Sequence, residues 1–128
     1  MSSQTNSQNR AVFLAAGGTG GHVFPALHTA CALKARGFDV SIITDKRGLS
    51  LLPENIRRKT IYAASPFAGS LTGRILALAK LSMGFLQVFT LLLKQRPLAV
   101  IGYGGYPAAS PALAAWLLRI PVWLHEQN

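Results

Sequence analysis

Acidic residues and cysteine are both scarce in this sequence. Four Asp and Glu residues oppose thirteen Lys and Arg in a chain of 128 residues, which gives a formal net charge of +9. A single cysteine excludes an intramolecular disulfide and a cysteine-rich metal site. A positive surplus of this size suggests an anionic partner, namely a phosphorylated ligand, a nucleic acid or an acidic membrane surface. Half of the residues are hydrophobic, which excludes disorder of the whole chain.

The sequence also lacks a run of about 20 uncharged apolar residues, the length that a membrane-spanning helix needs. Its best candidate, Leu81–Leu93, is too short and lies between Lys80 and Lys94. The polar segment Met1–Asn9 lacks the basic start and apolar stretch of a secretory signal. We therefore interpret residues 1–9 as a disordered lead and residues 10–128 as one cytoplasmic domain.

Short apolar runs alternate with longer helical patterns along the chain. The predicted strands are Ala11–Ala16, Asp39–Thr44, Lys59–Ala63, Leu98–Gly102 and Pro121–His125, and the predicted helices are His22–Arg36, Leu71–Lys94 and Pro107–Leu118. This alternation predicts an α/β fold, a Rossmann-like parallel sheet with helices on both faces. The segment Asp45–Pro66 mixes charge, proline and glycine, and we interpret it as a mobile loop.

Two glycine-rich loops are predicted at strand-to-helix junctions. The first, Gly17–His22, has four glycines in five residues, more than a tight turn needs, and it precedes a helix start that attracts anions. Val23 stands where the dinucleotide fingerprint requires its third glycine, and the Lys-Ser/Thr ending of a Walker loop is absent. The second loop, Gly102–Pro107, is predicted at the same rim of the sheet. Together the loops suit a pyrophosphate better than a single phosphate.

Several side chains near these loops have two open interpretations each. His22 could act as a general base or could hydrogen-bond a neighbouring loop. The cluster His125–Asn128 could bind a polyhydroxylated ligand such as a sugar or could be an ordinary polar strand end. Asp45 follows the second strand as a ribose-binding acid would, although the broken fingerprint favours a solvated loop.

The long helical pattern Leu71–Lys94 carries an apolar arc wider than packing on a sheet requires. With its basic neighbours, this arc suits the interface of an acidic bilayer. A core helix, or a helix covered by another domain, is an equally good interpretation of the pattern.

The motifs in their order resemble a known family. The matching segments are Ala16–Ala26, Gly102–Tyr106, Ala114–Trp116, Ile120–Pro121 and His125–Asn128. They resemble the N-terminal domain of the MurG family, bacterial enzymes that add N-acetylglucosamine to lipid I to make lipid II in peptidoglycan synthesis. The resemblance implies the N-terminal half of a GT-B glycosyltransferase, whose C-terminal donor-binding domain is absent from this chain. We expect the chain alone to be inactive.

The resemblance also implies roles for individual residues. His22 would be the catalytic base of an inverting transfer, and Glu126 would support the site. The residues implied to bind UDP-N-acetylglucosamine are Thr19, Gly20, Gly21 and Asn128. Those implied to bind the acceptor pyrophosphate are Gly17, Gly18, Gly104, Gly105 and Tyr106. The implied membrane patch comprises Arg74, Ile75, Leu78, Lys80, Phe85 and Phe89.

The implied partners are UDP-N-acetylglucosamine, lipid I, an anionic membrane surface and other cell-wall synthesis proteins, with no nucleic acid. No metal or other cofactor is expected, and the implied location is the cytoplasmic face of the bacterial inner membrane. Three alternatives stay open: a subunit of a split GT-B N-acetylglucosaminyltransferase, a nicotinamide-dinucleotide-binding module, and a basic nucleic-acid-binding domain. The sequence lacks the aromatic residues interleaved with basic clusters that the nucleic-acid-binding alternative would require.

Overall fold

The computed structural model describes residues 10–64 and 69–125. The elements, in chain order, are β1 (Ala11–Ala15), α1 (Gly20–Ala35), β2 (Asp39–Thr44), α2 (Lys46–Leu49), β3 (Arg57–Thr60), α3 (Leu71–Gln95), β4 (Ala99–Gly102), α4 (Tyr106–Leu117) and β5 (Val122–Leu124). The lead predicted for residues 1–9 lies outside the described residues.

The five strands form one parallel sheet in the order β3-β2-β1-β4-β5. In register, Val12 pairs with Val40 of β2 on one side and with Ala99 of β4 on the other. The strand order reverses at β1, because the chain first builds outward through β2 and β3 and then returns to add β4 and β5. The predicted parallel α/β sheet is confirmed.

Side-chain alternation along β1 divides the interior into two cores. Val12 and Leu14 point to the face covered by α1, whereas Phe13 and Ala15 point to the face covered by α3 and α4. Phe13, Leu14 and Ala15 are each no more than 1% exposed. A strand buried on both faces reads as a continuous apolar run, which is why β1 was recognisable from the sequence.

The segment 45–64 differs from its predicted structure. It contains the short helix α2 in place of an unbroken loop, since the Asp45 side chain accepts a hydrogen bond from the Gly48 N–H at 3.0 Å and caps the helix. Strand β3 begins at Arg57, earlier than predicted, and pairs with β2 from Ser41↔Arg57 to Thr44↔Thr60. The ladder ends at Thr60 because β2 itself ends at Thr44, so the more apolar residues after Thr60 lie beyond the strand.

Helix α3 packs through one narrow stripe. Ala77, Gly84, Val88 and Leu92 are buried, while most of the remaining surface of the helix is exposed. Its 25 residues are long and apolar enough to cross a membrane by length and composition, with a mean hydropathy of 1.8 over the most apolar 18-residue window. One helix that meets these criteria is weak evidence of a membrane span, so this property alone does not assign a membrane role.

Candidate functional site

The two glycine loops meet where the strand order reverses. The first loop follows β1 and leads into α1, and the second follows β4 and leads into α4 on the opposite face of the sheet. Because β1 and β4 are hydrogen-bonded neighbours, their carboxyl ends lie side by side. In open parallel sheets, ligands bind in the crevice at such a reversal of strand order. The structure therefore places both predicted loops at the ligand-binding end of the sheet.

The loops touch through their backbones. The Gly17 N–H donates to the Gly104 carbonyl oxygen at 2.8 Å. A Cβ atom added to Gly17 would lie 2.8 Å from the Gly105 Cα, which is closer than real Cβ atoms approach. Gly104 and Gly105 have φ angles of +100° and +84°, a region that side chains disfavour. Glycine at these three positions is therefore required for the contact between the loops.

The His22 imidazole lies against this contact and is held in one orientation. Its Nδ1 atom lies 2.9 Å from the Tyr103 carbonyl oxygen. A carbonyl can only accept, so Nδ1 carries the proton and donates it to this bond. Nε2 is then the ring nitrogen with a lone pair in the neutral side chain. A histidine with its tautomer set by a backbone carbonyl has the arrangement that a general base requires.

Tyr103 is a site residue that the sequence analysis did not single out. Besides holding His22 through its carbonyl, it stacks its ring on the His125 ring, with centroids 5.2 Å apart and planes 30° apart. Its hydroxyl donates to Thr29 Oγ1 on α1. Burial raises the pKa of the Tyr103 phenol, and the hydrogen bond with Thr29 lowers it by a smaller amount. Tyr103 therefore joins β4, α1 and the end of β5 at one point.

His125 is the described member of the polar cluster predicted at the chain's last strand. Its backbone N–H donates to the Gly102 carbonyl oxygen at 2.8 Å, which fixes it beside the second glycine loop. The other predicted residues of that cluster, Glu126 and Asn128, lie outside the described residues. Their predicted roles stay predictions.

The start of α1 presents backbone donors to solvent. The Thr19 carbonyl accepts from the N–H groups of His22 and Val23, which begins the helix. The N–H groups of the two residues at the helix start, Gly20 and Gly21, have no acceptor within the helix by geometry. Thr19 and Gly21 are exposed and Gly20 is partly exposed. An anion approaching from outside the domain would meet these groups at the positive end of the helix.

Asp45 has a structural role that the sequence analysis did not predict. The side chain is buried rather than solvated, and its Oδ2 atom accepts from Arg47 Nε at 3.1 Å. Together with the cap on α2, this pairing occupies both carboxylate oxygens. The solvated-loop interpretation is therefore wrong, and a ribose-binding role would require Asp45 to abandon its cap.

The structure divides the predicted membrane patch. Ile75 and Leu78 are 58% and 55% exposed, and Arg74 and Lys80 are exposed as well. Phe85 and Phe89 instead lie half-buried against the second core, with ring centroids 5.6 Å apart. The correction follows from helix geometry, because these two residues lie beside the buried stripe. The exposed apolar positions that the sequence analysis left out are Leu71, Leu76, Met83, Leu86 and Leu93.

Comparison with known proteins assigns the chain to a family. The family described as glycosyltransferase family 28 N-terminal domain matches residues 12–128. The chain belongs to this family. The match begins at the second residue of β1 and extends through β5, and it includes both glycine loops and His22.

Named relatives of this family 28 chain are transferases. A protein of Methylorubrum populi, named UDP-N-acetylglucosamine–N-acetylmuramyl-(pentapeptide) pyrophosphoryl-undecaprenol N-acetylglucosamine transferase, is 46% identical over 119 residues. A Rhodospirillum rubrum protein of the same name is 44% identical over 123 residues. Each alignment covers 91% of this chain but only 32% and 31% of the relative. The chain thus spans about a third of the length of the curated relatives it matches.

Solved structures agree with the family 28 assignment. The crystal structure of Acinetobacter baumannii MurG matches with a TM-score of 0.75 and 33% identity, over 93% of this chain and 36% of that protein. A UDP-GlcNAc 2-epimerase from Methanocaldococcus jannaschii matches with a TM-score of 0.60 at 21% identity, a likeness of fold alone. The expected resemblance to MurG, and the fold of the N-terminal domain of GT-B glycosyltransferases, are confirmed.

Proposed function

We propose that this chain is the acceptor- and membrane-binding part of an N-acetylglucosaminyltransferase. The reaction moves N-acetylglucosamine from UDP-N-acetylglucosamine to lipid I, undecaprenyl-pyrophosphoryl-MurNAc-pentapeptide, and forms lipid II for peptidoglycan. The observation that carries the proposal is His22, held by Tyr103 between two glycine loops at the sheet's reversal point. The names of the relatives indicate which sugar and which acceptor such a site serves.

The proposed chemistry is a direct displacement with inversion at the sugar's anomeric carbon. The acceptor hydroxyl oxygen bonds to that carbon, the bond from the carbon to the UDP oxygen breaks, and UDP leaves with the electron pair. His22 Nε2 takes the hydroxyl proton as the new bond forms. The Tyr103 carbonyl, 2.9 Å from Nδ1, keeps the ring in place and stabilises the imidazolium that results. The proposed reaction uses no metal.

The donor and the acceptor would approach His22 from different sides. Thr19, Gly20 and Gly21 at the start of α1 would contact the UDP-sugar, together with Asn128 outside the described residues. Gly17, Gly18, Gly104, Gly105 and Tyr106 would surround the acceptor's pyrophosphate. The Gly17 N–H already donates to the Gly104 carbonyl oxygen. Gly17 would therefore make van der Waals contact with the acceptor and would not hydrogen-bond it through this N–H.

The acceptor's lipid tail stays in the bilayer, so the enzyme must work at the membrane surface. We propose that α3 docks on the cytoplasmic face of the bacterial inner membrane, where other cell-wall synthesis proteins act. Its exposed Leu76, Met83 and Leu86 lie at spacings that share one helix face. Arg74 and Lys94 on the same helix would meet anionic headgroups.

A fusion protein tests the proposed activity. The present chain would replace the matching segment of the Methylorubrum populi transferase, and lipid II would be measured with labelled UDP-N-acetylglucosamine and a short-chain lipid I analogue. We expect the fusion to form lipid II and the present chain alone to form none. A fusion that folds and binds UDP-N-acetylglucosamine but transfers no sugar would contradict the proposed function. Sugar transfer by the chain alone would contradict the proposal that it is only one part of the enzyme.

A further inference from the structure

A cavity separate from the His22 site lies beyond the carboxyl ends of β2 and β3. Its volume is about 530 Å³. The start of α2, the segment that follows β3 and one flank of α3 supply its walls. The proposed binding of donor and acceptor uses none of the residues that line this cavity.

The cavity carries a surplus of positive charge. Lys46, Arg47 and Lys80 line it, and the one carboxylate in its lining is Asp45. Asp45 is already committed, through Oδ1 to the Gly48 N–H and through Oδ2 to Arg47 Nε. The Arg47 side chain is 67% exposed despite this pair, so its guanidinium still faces solvent. The charge in the cavity favours an anion that can meet cations from two elements at once.

The cavity floor is apolar and held in place. Ile61 is buried, Tyr62 is half-exposed, and both line the space. Gln87 Oε1 on α3 accepts from the Tyr62 N–H at 3.1 Å, which ties the floor to the helix. Gly84 allows the close approach, since an added Cβ would lie 2.1 Å from the Tyr62 carbonyl oxygen. A lining that combines cations with apolar side chains suits an amphiphilic anion better than a fully hydrated one.

The cavity connects the two surfaces of the proposed function. At one end Arg47 lies against the first glycine loop, because a Cβ on Gly18 would lie 2.8 Å from Arg47 Cβ. At the other end Lys80 stands on α3, whose exposed apolar residues include Leu76 and Met83. A ligand in the cavity therefore lies between the loop that carries His22 and the apolar side of α3.

We infer that this cavity binds the diphosphate ester of an apolar alcohol, with Arg47 and Lys80 on the diphosphate and the first part of the apolar chain over Tyr62. The inference rests on the proposed function, in which the acceptor is a lipid-linked diphosphate. It assigns Arg47, beside the first glycine loop, to the end of the diphosphate nearer the sugar, and Lys80, on α3, to the end nearer the lipid.

Binding of geranyl diphosphate to the present chain, measured by isothermal titration calorimetry, tests the inference. Arg47→Gln and Lys80→Gln should each weaken binding about tenfold, the loss expected for one charge-assisted contact. Arg57→Gln is the matched control for Arg47, since Arg57 is similarly exposed and also pairs with an aspartate, with 2.8 Å between Arg57 Nη1 and Asp39 Oδ1. Neither Arg57 nor Asp39 lines the cavity. Lys59→Gln is the control for Lys80, since Lys59 is also exposed and does not line the cavity. Both controls should change the Kd less than twofold.

Equal losses in the cavity variants and the controls would overturn the inference, because they would indicate attraction to the basic surface as a whole. Lys80→Gln leaves the Asp45–Arg47 pair intact, so it keeps the test valid if Arg47→Gln perturbs folding. Inorganic pyrophosphate should bind at least about tenfold more weakly than geranyl diphosphate, since it lacks the apolar chain. Dihexanoyl-phosphatidylglycerol should compete poorly; competition as strong as that of geranyl diphosphate would identify a site for bilayer headgroups and overturn the inference.

The fusion protein separates failure of the inference from failure of the proposed function. A rise of the acceptor KM in Lys80→Gln, with turnover little changed at saturation, is the expected result. Active transfer with an unchanged acceptor KM in both cavity variants would overturn the inference and leave the proposed function intact. Tight, cavity-dependent binding of geranyl diphosphate by a fusion that transfers no sugar would contradict the proposed function alone.

Discussion

His22 is constrained by a residue far away in the sequence. Its hydrogen bond joins positions that are 81 residues apart, because β1 and β4 are adjacent in the sheet. The second glycine loop closes around the ring so tightly that a Cβ on Gly104 would lie 2.9 Å from two ring atoms. The imidazole is therefore oriented before any ligand arrives, which is the condition for efficient proton transfer.

We predict that His22→Ala in the fusion protein lowers turnover about 10²–10⁴-fold, the usual contribution of a general base. Steady-state assays with saturating donor and acceptor would measure the change. His28→Ala is the matched control, since His28 lies exposed on the same helix and should leave turnover within about twofold. If turnover of His22→Ala also stayed within two- or threefold of the parent, His22 would not be the base.

Thr44 has a buried hydroxyl without a hydrogen bond. Among the buried side chains that the structure describes, its Oγ1 atom is the one without a hydrogen-bond partner. We expect Thr44→Val to raise the free energy of unfolding by about 1 kcal/mol, because the shape is kept and the desolvated hydroxyl is removed. Thr60→Val, at the exposed position paired with Thr44 in β3, should change it by less than about 0.5 kcal/mol. Urea denaturation measures both, and a destabilised Thr44→Val would indicate a partner for the hydroxyl.

At the scale of elements, the position of α3 depends on one glycine. Gly84 is buried in the middle of the helix, and the Tyr62 carbonyl lies directly against it. The segment after β3 is bonded to β2 once more, from the Ile61 N–H to the Thr44 carbonyl oxygen. From Tyr62 onward α3 anchors it, through the Gly84 contact and the bond from Tyr62 to Gln87. Tyr62 and Gln87 also line the cavity that contains Arg47 and Lys80.

Gly84→Ala is expected to destabilise the domain by about 1–3 kcal/mol, although alanine is the better helix former. The added methyl group forces α3 away from Tyr62, and an overpacked interface outweighs the gain in helix propensity. Gly21→Ala in α1 is the control, since its Cβ would meet nothing closer than Thr19 Oγ1 at 3.9 Å. That variant should be neutral or slightly stabilised in thermal unfolding. A neutral Gly84→Ala would contradict the proposed tight contact.

The elements differ in how far the sequence predicts them. β1 was predictable because a strand buried on both faces of a parallel sheet reads as a continuous apolar run. β2 was predictable from the apolar residues Val40, Ile42 and Ile43, although Asp39, Ser41 and Thr44 interrupt the run. β3 was misplaced because it is an edge strand of polar residues, Arg57–Thr60, followed by a more apolar segment outside the ladder. The glycine loops were predictable from composition. The Tyr103 carbonyl that holds His22 was not, because a backbone acceptor leaves no mark on residue identity.

At the scale of the whole molecule, the most unusual feature is that α3 exposes a cluster of large apolar side chains to solvent. Leu76, Met83 and Leu86 are 59%, 52% and 61% exposed on one side of the helix, opposite the stripe that packs on the sheet. Solvent-exposed apolar residues that cluster indicate a surface with a partner. The net charge of +9 favours an anionic bilayer as that partner.

We predict that the chain binds vesicles of phosphatidylglycerol and phosphatidylcholine, and that binding weakens with salt without vanishing. Each cation near the surface adds about 1 kcal/mol, which salt screens, whereas inserted apolar side chains add a contribution that salt does not remove. Co-sedimentation at increasing salt measures both parts. Arg74→Gln with Lys94→Gln should reduce the salt-sensitive part, and Leu76→Ser with Leu86→Ser should abolish the salt-resistant part.

Circular dichroism must accompany the vesicle assay, because the location of each apolar residue decides what its loss means. Leu76→Ser with Leu86→Ser should release the chain from vesicles while its melting curve stays close to that of the parent, since both residues are exposed. Phe85→Ser with Phe89→Ser should instead destabilise the fold, because these rings pack against the second core. Leu98→Ser, exposed before β4 at the amino edge of the sheet, should alter neither property. Salt-resistant binding that survives in the Leu76 and Leu86 double variant would place the docking surface elsewhere on the molecule.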